Sequence, residues 1–234
     1  MKSTLTIILI LVFIGCKQKE SKHKTLDKTS QNNVVTTEIK ECKCFNGFDE
    51  KPNKIYTFSD NNSISICGFE ENEENNEYSE FGVFDCKSKK LITGYDAIQT
   101  CKLKFENDKL YIIELNKLPT NDKWEWNDIK VAEEIIAVKN KSVISLGTKP
   151  LKVKTTISEK TQKEFLDLLE TDGYKKVEVE EILARLEILS ICGNERAKKK
   201  LYSIKNDKNY ELDGAYEEQY KNAIATIEWR NKKQ

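Results

Sequence analysis

Histidine is nearly missing from this 234-residue chain: the one present, His23, lies in a polar stretch with no apolar periodicity to build a scaffold around it. Without a placed imidazole, Ser-His-Asp and Cys-His hydrolase machinery and histidine-rich zinc or iron sites are excluded. The few glycines form no G-x-G pair and no Walker loop, so neither a nucleotide-binding turn nor a phosphate cradle is written here. An excess of one charge is lacking too. The chain sets 39 Lys and Arg against 39 Asp and Glu, which removes the electrostatic case for binding nucleic acid. No C-x-x-C occurs among the seven cysteines, which disfavours thiol exchange and the usual thiolate zinc sites. What remains is a polar chain, 33% charged and 38% hydrophobic, whose 9% aromatic content supplies material for a core.

Residues 1–15, MKSTLTIILILVFIG, place one lysine before an apolar run from Leu5 to Ile14 and end on a small residue. A run of that length falls short of the roughly 20 residues that cross a bilayer, so the layout is that of a cleaved leader. Phe13-Ile14-Gly15-Cys16 resembles the lipobox of bacterial lipoproteins. The resemblance implies that Cys16 becomes the first mature residue and carries a thioether-linked diacylglycerol and an N-acyl chain. Three chains on one sulfur and one amine anchor a protein stably, so the bilayer is the first expected partner. Lys17 rather than Asp follows the cysteine, which by the sorting habit of that class favours the outer membrane, on its periplasmic or surface face.

From Cys16 to about residue 40 the composition reads as a flexible polar tether. Short stretches rich in Ile, Val, Phe, Tyr and Thr then predict an antiparallel β domain over 41–157. Its expected strands are 54–58, 63–69, 80–85, 98–105, 109–115, 129–138, 142–146 and 151–157, with a hairpin turn at Glu106-Asn107-Asp108. Beyond Ser158 the apolar period lengthens to three or four, predicting a helical region over 158–234 and hence an α+β chain. Val179, Ile182, Leu183, Leu186 and Leu189 share one helical face. Gly193 is placed to end that helix and Asn194 to cap the next. A last helix from about Asp213 carries Tyr216, Tyr220, Ala223, Ile224 and Ile227 as its buried stripe, with Arg230 onward solvated.

Beyond the anchor, Cys42, Cys44, Cys67, Cys86 and Cys101 fall in the β region and are the candidates for disulfides in an oxidising compartment, their pairing open; Cys192 is expected to be free. The acidic stretch Glu70–Glu77 lacks the ligand pattern and central glycine of a calcium loop and reads as a solvated connection. Trp124 and Trp126, two apart, would share a strand face and are candidates for contact with a sugar or a partner. No metal, nucleotide or cofactor is expected, and no catalytic residue is located. The inventory favours a membrane-tethered, non-catalytic module that binds or assembles with another envelope protein. The alternatives are a carboxylate-based hydrolase of glycan or peptidoglycan and an immunity or inhibitor protein.

Overall fold

A computed structural model describes residues 42–45, 47–48, 51–97, 99–171, 175–210 and 212–233, all within one compact unit, Ile39–Gln234. The leader, Cys16 and the polar stretch up to residue 40 lie outside the described residues. The first part of the chain forms an eight-stranded antiparallel sheet. Its strands are β1 (Lys54–Thr57), β2 (Ser63–Asn72), β3 (Glu77–Asp85), β4 (Lys90–Tyr95), β5 (Thr100–Glu106), β6 (Lys109–Pro119), β7 (Trp126–Lys139) and β8 (Ser142–Pro150). Four helices follow, α1 (Glu159–Leu168), α2 (Val179–Ile191), α3 (Glu195–Ile204) and α4 (Gly214–Lys233), giving the α+β layout the sequence predicts.

Strand order is β1-β2-β3-β5-β6-β7-β8, with β4 also paired to β3. The β5–β6 hairpin turns at Asn107 and Asp108, both left-handed (φ 49° and 59°), as a two-residue connection matched to strand twist requires. The Asp108 carboxylate also accepts from the Ser59 amide at 2.7 Å and the Ser59 hydroxyl at 2.8 Å, fixing this turn to the β1–β2 connection. On β7, Glu134 is buried and accepts from Thr93 (3.0 Å) and Tyr95 (2.7 Å) on β4 and from Ser145 on β8. A single carboxylate therefore ties β4 to β8 across the curled sheet.

Two strands differ from the sequence expectation. β4 has no counterpart among the expected strands, because its sequence KLITGY is short and carries a glycine next to its last residue. The strand expected over 151–157 is not one: its alternation is real, but only Thr156 forms a bridge, to Asn121, while Val153 and Ile157 turn to the helices.

The helices begin where their caps dictate. Ser158 accepts from the Thr161 amide (3.2 Å) to start α1, and Asn194 accepts from the Ala197 amide (3.0 Å) to start α3. Gly193, at φ 92°, ends α2 with the left-handed residue a C-terminal cap needs, and Asn194 N donates back to the Leu189 carbonyl at 2.9 Å. Nearly every residue of α2 from Ile182 to Ser190 is buried, so it is the central rod of the helical layer. The inner sheet cluster holds Phe58, Ile64, Tyr78, Phe81, Leu103 and Ile112; the helical cluster gathers Phe165, Leu183, Leu186, Leu201 and Ile227 around Leu118 of β6.

The expected solvation of Arg230 is overturned. This residue is 6% exposed and donates to the carbonyls of Val131 and Leu151, each at 2.8 Å. The reason lies in β7. Glu114 pairs with Ala132 and Leu115 with Lys130, so Val131 is an extra, bulged residue whose carbonyl finds no partner on β6. It accepts instead from the Leu151 amide at 3.0 Å and from the Arg230 guanidinium of α4. Replacement by Arg230→Met keeps the apolar stem but takes the guanidinium donors from the Leu151 carbonyl and from the Val131 carbonyl, which keeps the Leu151 amide, and should lower unfolding free energy by about 2 kcal/mol in urea denaturation.

Candidate functional site

Strand β6 carries Leu110, Ile112, Glu114, Asn116 and Leu118 on one face, since the bulge at Val131 leaves its own alternation intact. The first two belong to the sheet cluster and Leu118 to the helical one. Glu114 and Asn116 are the polar interruption between two apolar cores. Over them opens a hollow of about 660 Å³, roofed by α4 and lined by Asp96, Glu114, Asn116, Glu187, Glu218, Gln219, Asn222 and Trp229 among others. A second hollow of about 430 Å³ adjoins it, sharing Asn116, Glu187 and Gln219 and extending to Glu71, Glu77, Lys117, Trp126 and Asp128. Together they make one cleft between β5–β7 and the helices α2 and α4.

α4 is two-faced by helical spacing. Tyr220, Ala223, Ile227 and Arg230 turn inward, while Glu218, Gln219, Asn222, Thr226 and Trp229 form the wall of the cleft. From α2, Glu187 reaches the junction of the hollows at 7% exposure. Burial pushes its carboxyl up to about 7, against a hydrogen bond with Asn116 that opposes the rise. Burial, and next the charge of Glu134, also hold the Glu114 carboxyl above its ordinary value. Beneath them the Cys101 thiol is raised by burial and then by Glu114 and Glu134, and the Tyr95 phenol by burial and its hydrogen bond to Glu134.

The cleft is acidic although the chain is neutral. Asp96, Glu114, Glu187 and Glu218 line the first hollow and Glu71, Glu77 and Asp128 the second, with Lys117 as the basic side chain among the described lining residues. These carboxylates are spread along the walls: among the described residues no three His, Cys, Asp or Glu gather into a group that could hold a metal ion. The arrangement suits an extended cationic or hydrogen-bonding ligand, met by carboxylates, side-chain amides and two indoles.

The two tryptophans singled out from sequence do not share a face. Trp124 precedes β7 with a left-handed backbone (φ 60°), which sends its ring onto Phe165 (5.2 Å between centroids) under the Arg185 guanidinium at 4.9 Å. Trp126 opens β7, is 38% exposed and lines the second hollow. Trp229, the other indole of the cleft, lies outside the apolar stripe by which the sequence marks α4.

Cys42 is joined to Cys86 and Cys44 to Cys67. Cys101, also a candidate for pairing, is instead a buried free thiol. It points into the inner sheet cluster opposite Tyr78 and Glu114, whereas Cys44 and Cys67 lie in a separate cluster with Phe84 on the other face. Cys192 is free, as expected, and exposed. No family model, curated protein sequence or solved structure matches this chain.

Two outcomes follow from these environments. A carboxyl raised from 4.5 to about 7 makes the folded state bind its proton more tightly than the unfolded chain. Stability from Glu187 is therefore full below about pH 4.5 and falls by about 3 kcal/mol as pH rises through 7. Unfolding measured against pH should show that decline in the wild type and a flatter profile in Glu187→Gln. Thiol alkylation of the oxidised native protein should label Cys192 in the folded state, slowly because burial raises its thiol, and Cys101 only on unfolding.

Proposed function

We propose that this protein is an exported lipoprotein, moored to the outer membrane by acyl chains on Cys16, whose body is a non-catalytic binding module. Its cleft receives a cationic segment of another envelope protein. The observation that carries this reading is the cleft's charge: Glu71, Glu77, Asp96, Glu114, Asp128, Glu187 and Glu218 meet Lys117 in a chain whose formal charge as a whole is zero. Such a concentration raises the local density of a basic partner and selects against acidic ones. Retaining Glu187 in a buried position, at a cost to stability near neutral pH, is also what a binding site rather than a core would require. An immunity or inhibitor role is the special case in which the partner is a toxin or lytic enzyme.

A second reading, a carboxylate-based glycan hydrolase, draws on the same Glu187, whose carboxyl is still partly protonated at pH 7, as a general acid must be, with Trp126 and Trp229 on the walls for stacking on sugar rings. Envelope polysaccharide left uncut by the purified protein would remove it. The binding reading is tested by cross-linking in the native host. A wild-type bait should capture a discrete basic partner, released by salt, and the variant Glu114→Gln, Asp128→Asn, Glu218→Gln should lose at least about tenfold of that capture. Undiminished capture by the variant would sink the assignment of the cleft.

A further inference from the structure

The face of the sheet turned away from its inner cluster is unlike the rest of the surface. Register places Ile55 of β1, Cys67 and Phe69 of β2, Phe84 of β3 and Leu91 of β4 on one side. Residues 42–45 and 47–48 lie over its middle, where Phe45 and Phe48 pack edge-on against Phe84 (5.9 Å each) and the two disulfides hold the chain down. Around this patch Phe69 is 63% exposed, Leu91 47% and Ile55 41%, which is half of the large exposed hydrophobic side chains of the described residues. Phe69 is thrown outward at the bulge where Glu80 is the extra residue, opposite Gly68, where a Cβ would come within 2.4 Å of the Glu80 carbonyl oxygen.

The rim carries more lysines than carboxylates. Lys87, Lys89 and Lys90 are all exposed in the turn into β4, and Lys51 lies beside Phe48 and Phe69, where the exposed Glu80 is the acidic neighbour. The nearby Asp85 carboxylate is occupied in closing that turn, accepting from the amides of Lys87 and Ser88 and the Ser88 hydroxyl. β3 separates the charges: its C-terminal end carries the lysine turn, and its first residue, Glu77, lines the acidic cleft.

We infer that this outer face, with Ile55, Phe69 and Leu91 inside a ring of Lys51, Lys87, Lys89 and Lys90, lies against an anionic lipid surface, so that the acidic cleft opens away from the bilayer. Apolar side chains enter the headgroup region while lysines stay at phosphate level, the division of labour of interfacial segments. The lysines complement anionic headgroups and the cleft carboxylates are repelled by them, which fixes which end faces in. The chain also arrives at this face from the Cys16 side, Cys42 and Cys44 being stapled to it. The inference gains from the anchor of the proposed function, yet the face is recognised by its own chemistry.

The test uses the full chain carrying Cys16→Ser, which has no acyl chains, and vesicles of phosphatidylcholine with or without about one third phosphatidylglycerol. Binding is expected to the anionic vesicles only, to weaken with salt, and to fall about 100-fold in Lys87→Glu, Lys89→Glu, Lys90→Glu. A Phe69→Ser, Leu91→Ser variant, folded by circular dichroism, should lose about tenfold. Absence of vesicle binding, or binding that both variants leave unchanged, overturns the inference. The same face protected from hydrogen exchange in intact envelopes without vesicle binding assigns it to a protein partner and overturns it as well. An unmodified Cys16 in the native host with vesicle binding retained removes the anchor but not this face.

Discussion

The grip of Arg230 on the carbonyls of Val131 and Leu151 is the constraint on which the rest of the molecule depends. A sheet and a helical layer can slide over each other when only apolar side chains meet. Two directional hydrogen bonds from a charged, buried donor remove that freedom. They also set where α4 stands relative to β6 and β7, and with it the width of the cleft. The bulge at Val131 creates the acceptor, the C-terminal turn of α4 supplies the donor, and both residues are buried from water. Deleting the bulge would remove that acceptor and flip the alternation of β7 beyond it.

Much of this plan was legible in the residues and some of it was hidden for definable reasons. The switch of apolar period near Ser158, the Gly193 stop with its Asn194 cap and the Asn107-Asp108 turn rest on local chemistry, and the structure has them where the sequence places them. β4 depends on its neighbour β3 rather than on its own composition. The segment 151–157 alternates without having a strand to pair with along its length. Arg230 looked like the frayed end of a helix because its acceptors sit 79 and 99 positions away.

The cleft had a signal, although a faint one. Along β6 the inward positions run Leu, Ile, Glu, Asn, Leu, and a polar pair between apolar neighbours on one face is costly unless a cavity or a partner receives it. Glu187 was harder to notice. Within LARLEILSI it resembles the solvated glutamates of any amphipathic helix, and only the enclosure of α2 on nearly all sides makes it a buried acid. The pairing of the cysteines likewise follows from which sheet face each occupies, a property of register rather than of spacing. Cys101 is excluded from bonding by a parity that places it among Tyr78, Phe81 and Leu103.

The Cys42–Cys86 bond also sets how the body takes mechanical load. Tension arriving through the chain upstream of Cys42 does not first peel the short β1 from its edge; it crosses a covalent bond to the end of β3, a strand paired with β2, β4 and β5. Pulled there, several ladders share the force. A protein dragged by its leading end would keep its fold at tensions that would unravel the same sheet hung from its margin.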